Sequence, residues 1–332
     1  MKFSSLIAWD DAALRESLPA SASAGATDDR AQRGARANDT VAPPWLLVLT
    51  TLSAVTGDHL AKVARAAAEL GVGLRLAYYA GEQPIGLLDP LARLAQRARF
   101  VRRQHGIGVE VVAHEVRSRY QLLRLSRAAG LTCLLDANER PRRSRLGPDL
   151  LSLLLREGQG PLWVVNASDT APAAPLCCFA RTAPLGRERD LMRWSRVFAQ
   201  GRAVQLVHVL QTAVSPPDSG DAAELTVFDH VFRQLRLQAF QALDTLSRPL
   251  REAGCETTFT VLAGDVEQQL RQHLRATRPA MVLIGHRWRP WSVGAARSRV
   301  QGIGEQGADA LVVPLPRGAW WSWVARAIGW RG

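Results

Sequence analysis

The sequence predicts an α/β fold, built twice in tandem from one five-stranded unit. Three observations carry this reading. From Pro44 onward, short apolar runs of strand length alternate with longer stretches whose apolar residues recur every three or four positions. Strict strand–helix alternation implies a parallel sheet with right-handed crossovers. After five runs the series starts again, which marks an internal duplication. The 332 residues also exceed what a single core usually serves, so two domains are expected.

The first unit takes its strands from "WLLVLT" (45–50), "LRLAYYA" (74–80), "VEVVAHE" (109–115), "LTCLLDA" (131–137) and "PLWVV" (161–165). Between them lie "GDHLAKVARAAAELG", "LLDPLARLAQRARFVRRQHG", "SRYQLLRLSRAAG" and "GPDLLSLLLREG". These have helical spacing, and each ends in a glycine suited to a C-terminal cap. The second unit repeats the order with "PLCCFAR" (175–181), "AVQLVHVLQ" (203–211), "CETTFTVLA" (255–263), "AMVLIGH" (280–286) and "ADALVVP" (308–314). First strands lie 130 residues apart (Leu47 to Cys177) and last strands 148 apart (Val164 to Val312). The difference of 18 is an insertion at "TAVSPPDSGDAAELTVFDHV", a polar loop leading into a longer helix. "NASDTAPAA" (166–174) is the linker.

These patterns divide the chain into 1–43, 44–167, 174–316 and 317–332. Residues 1–43 are small and polar and are expected to stay disordered, apart from a short helix at Ser4 to Glu16. The patch after Met1 ends at Asp10 and Asp11, too soon for a signal peptide. The last segment, "RGAWWSWVARAIGWRG", is too short to span a membrane. Its tryptophans and arginines suit a membrane interface, a groove on the protein itself or a second copy.

Net charge is +12, and 40 of the 42 basic residues are arginine; the lysines are Lys2 and Lys62. The tail to residue 43 sums to −1, so the remainder holds +13. Such a surface attracts phosphates, nucleic acid or anionic lipid. Cys133, Cys177, Cys178 and Cys255 lack metal-ligand spacing and read as buried free thiols in a reducing cytoplasm. The seven histidines form no HxxxH or HExxH pair, and GxSxG and P-loop motifs are absent. Asp265, after Gly264, reads as a helix N-cap. With no assembled nucleophile, base and oxyanion site, no enzyme is expected, slow ATP hydrolysis aside.

"VQLVHV" (204–209), "VLAGDVEQQLRQHLRA" (261–276), "AMVLIGHR" (280–287) and "ADALVVP" (308–314) resemble strands two to five of the universal stress protein family. The resemblance covers residues 44 to 316, in a tandem form; the first unit shares the layout more than the motifs. It implies two Rossmann-like (adenine nucleotide alpha hydrolase-like) domains with strand order 3-2-1-4-5, joined through their last strands as an intramolecular pseudo-dimer. Nucleotide-binding members use an acidic residue after strand one. They also use a loop after strand four reading Gly, two residues, Gly, nine residues, then Gly-Ser or Gly-Thr. Here Gly285 holds the first position and Trp288 the second; the later pair falls at Ser298-Arg299 or Ala296-Arg297. The acidic positions fall at Thr50 and Arg181, and Asp136 stands for the first glycine of the other loop.

A bulky side chain bars main-chain amides from a phosphate, so ATP or ADP is not the expected cofactor, and no metal is. Both loops carry arginines instead: Arg140, Arg142, Arg143 and Arg145 in one, Arg287, Arg289, Arg297 and Arg299 in the other. They leave the carboxyl ends of central strands, where open α/β sheets bind ligands. The candidate anion or nucleotide site is therefore Gly285, Arg287, Trp288, Arg289, Arg297 and Ser298, with Val207 from the second strand. The expected function is a non-catalytic stress-response adaptor that binds a protein partner or a small anionic ligand, as a monomer or a homodimer. Two alternatives stand beside it: an adenine-nucleotide sensor in the second unit, and a peripheral binder of anionic lipid or nucleic acid.

Overall fold

The computed structural model describes residues 45–52, 56–79, 89–135, 150–158, 160–166, 174–179, 188–199, 201–211, 222–287 and 293–315, with backbone only at 189, 222–229 and 287. The expected disordered tail, the Ser4–Glu16 helix, most of the linker, the arginines at 140–145 and 289, Asp136, Arg181, Trp288, Trp291 and the C-terminal segment lie outside these residues.

The first half runs β1 (Trp45–Thr50), α1 (Thr56–Leu70), β2 (Gly73–Tyr78), α2 (Pro90–His105), β3 (Val109–Val111), α3 (Arg119–Ala128), β4 (Leu131–Leu134), α4 (Leu150–Glu157) and β5 (Leu162–Val164). The second half runs β6 (Leu176–Phe179), α5 (Arg189–Ala199), β7 (Val204–Leu210), α6 (Ala222–Glu252), β8 (Thr257–Ala263), α7 (Val266–Thr277), β9 (Met281–Arg287), α8 (Val293–Glu305) and β10 (Asp309–Leu315). All ten strands form one sheet, in the order β3-β2-β1-β4-β5-β10-β9-β6-β7-β8. Each half has the order 3-2-1-4-5, and the halves meet through β5 and β10. This pair is antiparallel, with Leu311 opposite Trp163, whereas the strands within each half are parallel. Two separate sheets become one continuous sheet at this seam.

Both faces are covered, which is why the central strands are predominantly apolar. α1, α2, α5 and α6 pack one face through residues such as Val63, Leu94, Met192 and Leu243. α3, α4, α7 and α8 pack the other through Leu122, Leu154, Leu270 and Val300. Asp265 caps α7, its carboxylate accepting from the Gln268 N–H at 2.9 Å. The inserted stretch is helical in its second half: residues from 222 onward lengthen α6 to 31 residues, against 16 in α2.

The largest departure from the sequence reading is at the end of β3. β3 stops at Val111 instead of Glu115. The Val112 N–H still reaches Leu76 O at 2.8 Å; the chain then leaves the sheet and returns as a bridge at Val116, whose N–H bonds Tyr78 O at 2.9 Å. His114 in this excursion is exposed and Glu115 pairs with Arg117, so a solvated turn replaces two rungs of ladder. β9, read to end at His286, ends at Arg287 and is paired with β10 along its whole length.

Candidate functional site

The carboxyl rim of the second half is where the sequence places a ligand. Gly285 lies inside β9, opposite Val313 of β10. A Cβ on Gly285 would stand 2.9 Å from Leu315 Cδ1 and 3.1 Å from its Cγ. The room left by this glycine is thus filled by a leucine of the next strand, which is a packing use of glycine. Val207 is fully buried in mid-β7, in register with Phe179 and Thr260, and belongs to the core under α7 and α8. Arg297 is half-buried and Ser298 exposed, both on α8. Ser298 Oγ lies 3.4 Å from Glu267 Oε2, to which it donates. Arg287 is described by its backbone alone, and Trp288 and Arg289 lie outside the described residues. Of the seven candidates, then, the structure places two in packed strands and two on α8.

Around Ser298, a cleft of about 140 Å³ opens between α7 and α8, lined also by Glu267, Arg271, Arg299 and Glu305. It is smaller than the several hundred Å³ that a ligand pocket occupies. Its charges are of both signs, and Arg271 faces Glu267 at 3.8 Å.

His286, beside Gly285, reaches across the molecule. It is buried, and its Nε2 donates to the Leu155 carbonyl of α4 at 3.2 Å. Burial holds its pKa below the usual 6.5, with a smaller push in the same direction from Arg299; the bond to Leu155 opposes both. His208 is half-buried in β7.

In the first half, the position after strand one belongs to Thr50, buried at the end of β1. Its Oγ1 lies 3.2 Å from Thr56 Oγ1 and accepts from the Leu52 N–H at 2.9 Å. Leu52 itself has φ 63, a left-handed conformation that costs a leucine energy. Thr50 thereby ties the end of β1 to the first turn of α1.

A larger cleft, about 520 Å³, lies at the carboxyl end of β2 and β3, lined by Asp89, Pro90, Leu91, His114, Glu115, Arg117 and Gln121. Four of its polar side chains are engaged locally. Asp89 caps α2 by accepting from Ala92 N–H, Arg117 pairs with Glu115 at 2.8 Å, and Gln121 accepts from the Arg117 N–H. Tyr78 nearby has its pKa raised by burial and, secondarily, by the Glu115 charge. Sequence reasoning missed this cleft because "VVAHE" reads as strand; the acidic and imidazole side chains beside Arg117 were the available signal.

A buried carboxylate with three partners lies at the seam, and sequence reasoning missed it too. Asp309 opens β10 and is fully buried. Its carboxylate accepts from Trp163 Nε1 at 3.0 Å and from the Asn166 N–H at 3.0 Å, and pairs with Lys62 Nζ of α1 at 2.8 Å. Asn166 also donates its side-chain amide to Ala308 O at 3.1 Å. Trp163 meets Phe198 of α5 edge-on, with centroids 5.3 Å apart. One carboxylate of the second half thus holds three groups of the first. The duplication leaves Pro161 at the matching place 148 residues earlier, so the cluster occurs on one side only. The visible signal was an aspartate inside an apolar strand run.

Cys133, Cys177 and Cys178 are buried and Cys255 is half-buried; all are free thiols. Burial raises each thiol pKa, the neighbouring Asp309 adding to the effect at Cys133. Raised thiols are poor nucleophiles, so these side chains serve packing.

Neither protein-family models nor curated protein sequences give a match to this chain. Solved structures do. A universal stress protein from Archaeoglobus fulgidus DSM 4304 superposes with a TM-score of 0.53 over 82% of this chain and 96% of its own, at 11% identity. The fold is that of a universal stress protein. A candidate universal stress protein from Pseudomonas aeruginosa UCBPP-PA14 (TM-score 0.59, 14% identity, 82% and 94% covered) agrees. A functionally unknown protein of P. aeruginosa PAO1 is similar to the same extent (TM-score 0.58, 12% identity, 82% and 93% covered). A span of 82% exceeds either half, so the likeness extends over both. No helix among the described residues is long and apolar enough to cross a membrane.

Proposed function

We propose that the protein is a non-catalytic binding module of the stress-response type, one that engages its partner through its surface and holds no adenine nucleotide by main-chain amides. The observation that carries this reading is Gly285. Its empty side is occupied by Leu315, and it stands within a strand that runs on to Arg287. A phosphate loop needs that glycine at a turn, with amide groups free to close on oxygen. Thr50 supports the same reading, since its hydroxyl is committed to Thr56 and Leu52.

The test is thermal unfolding with ATP, ADP and Mg²⁺. A ligand at one hundred times its Kd stabilises by about 2.7 kcal/mol, which moves the midpoint by about 4 °C in a protein of this size. The expected shift is under about 1 °C by the same scaling. A shift of several degrees that vanishes in Arg287→Ala and Arg289→Ala overturns the reading and assigns an adenine-nucleotide sensor instead.

A further inference from the structure

We propose that the outer end of the first half, formed by α2 and α3 on either side of edge strand β3, is a docking surface for single-stranded nucleic acid. The proposal rests on the surface-binding reading above and supplies its partner.

Charge is distributed very unequally between the two ends of the sheet. Residues 89–130, which form the β3 end, hold nine arginines against three acids, a net +6. Residues 222–278, which form the β8 end, hold seven arginines against seven acids, a net of zero. The arginine habit of the chain is common to both ends, so it does not explain the difference. α2 carries five arginines and α3 three, and neither helix contains an acid.

These charges are largely unspent. Arg117 pairs with Glu115, Arg119 with Glu157, and Arg102 donates to the Val109 carbonyl. Arg93, Arg99, Arg103, Arg124 and Arg127 are exposed and form no ion pair among the described residues. Arg93 also sits near the start of α2, whose first turn has no acid. A cation there opposes the helix dipole. Stability of the helix therefore gives no reason for it, whereas an external anion does.

Two aromatic rings stand among the arginines. Phe100 on α2 is 65% exposed and Tyr120 on α3 is 73% exposed. Single-stranded nucleic acid is held by this combination: cations along the backbone and rings on which bases stack. A membrane surface asks for something else, a helix with a broad apolar face turned outward. The apolar face of α2 (Leu94, Ala98, Val101) is buried against the sheet, leaving Phe100 as its one exposed large apolar side chain. From Arg93 to Arg103 the helix rises about 15 Å, enough to follow two or three successive phosphates.

The test is fluorescence anisotropy of the full chain with a labelled single-stranded RNA of about 20 nucleotides, measured across salt. Five phosphate contacts give a slope of log K on log salt near −3.5. The variant Arg93→Gln/Arg99→Gln/Arg103→Gln is expected to bind more than about tenfold less tightly, with the slope reduced by about 2. Phe100→Ala is expected to weaken binding at least about fivefold with the slope unchanged. Arg236→Gln/Arg248→Gln, at the β8 end, is the control and is expected to bind as the unaltered protein does. Circular dichroism and melting establish that each variant is folded. An absence of RNA binding, an equal loss in the control, or binding only to phosphatidylserine vesicles overturns the proposal. The two readings fail separately: an ATP-induced thermal shift with the RNA slope intact defeats only the reading of the nucleotide site.

Discussion

At the seam a half-buried lysine meets a fully buried aspartate, 2.8 Å apart, and an indole and an amide N–H also donate to the carboxylate. At the outer end of the first half five arginines stand in water with no ion-pair partner among the described residues. The contrast separates two uses of charge. A buried pair adds little net stability, because desolvation offsets attraction, but losing either partner is costly. An exposed cluster of one sign mildly destabilises its own fold and attracts an opposite surface. The first ties the two halves together; the second is available to a partner.

Asp309→Ala should break this comparison most visibly. It removes the acceptor of the buried Trp163 N–H and one partner each of Lys62 and the Asn166 N–H, and a cost of about 3–5 kcal/mol is expected in urea unfolding. The double replacement Lys62→Met/Asp309→Leu should recover a good part of that loss, since a buried pair exchanged for apolar side chains is close to neutral. No recovery would mean that the indole and amide bonds, more than the ion pair, hold the seam.

Gly285→Ala is the next largest. Its new methyl group meets Leu315, and overpacking of this kind costs about 1–3 kcal/mol. Leu315→Ala in the same chain should relieve the crowding, read in a double-mutant cycle as a combined loss smaller than the sum of the two single losses.

How much of this was legible beforehand differs from element to element. The strands and helices were readable because continuous apolar runs and 3.6-residue spacing follow directly from covering both faces of a sheet. The duplication was readable because both halves solve the same packing problem in the same order. β3 was read too long, since "VVAHE" has the composition of a strand and only the Glu115–Arg117 pair reveals the turn. Gly285 was read as the start of a loop because glycine serves loops and close packing alike, and Leu315 is a neighbour only after β9 and β10 pair. Val207 was grouped with a ligand site, yet its neighbours are strand residues and core. Asp309 went unread because its partners, Lys62 and Trp163, lie far away in the chain and become neighbours only through the antiparallel seam.

A smaller effect concerns pH. His286 and His273 are held below the ordinary 6.5 by burial, so the folded protein keeps them neutral where the unfolded chain takes up protons. Stability is therefore level above about pH 6.5 and falls as pH drops below it, flattening once the folded-state pKa values are passed. Each group contributes at most about 1.4 kcal/mol per pH unit, and half-buried His273 contributes less. Urea unfolding from pH 7.5 to 5 (an approximate range around that pKa) checks the sign. A stability that rises on acidification contradicts it.

Smallest of all is the effect of the exposed arginines on stability. Arg93→Gln/Arg99→Gln/Arg103→Gln should change unfolding free energy by less than about 0.5 kcal/mol per site, and in the stabilising direction if like-charge repulsion dominates. A large loss would make these side chains structural and would blur the distinction between the seam and the outer end.

Salt tests that distinction most directly. The melting midpoint and the affinity for single-stranded RNA are to be measured on the same sample from about 50 to about 500 mM salt, where the screening length falls from near 14 Å to near 4 Å. Buried charge is screened little, so the midpoint should stay nearly level, while the affinity should fall linearly on logarithmic axes. A midpoint that falls steeply with salt, or an RNA affinity indifferent to it, would contradict the division of labour between Asp309 and the arginines of α2 and α3.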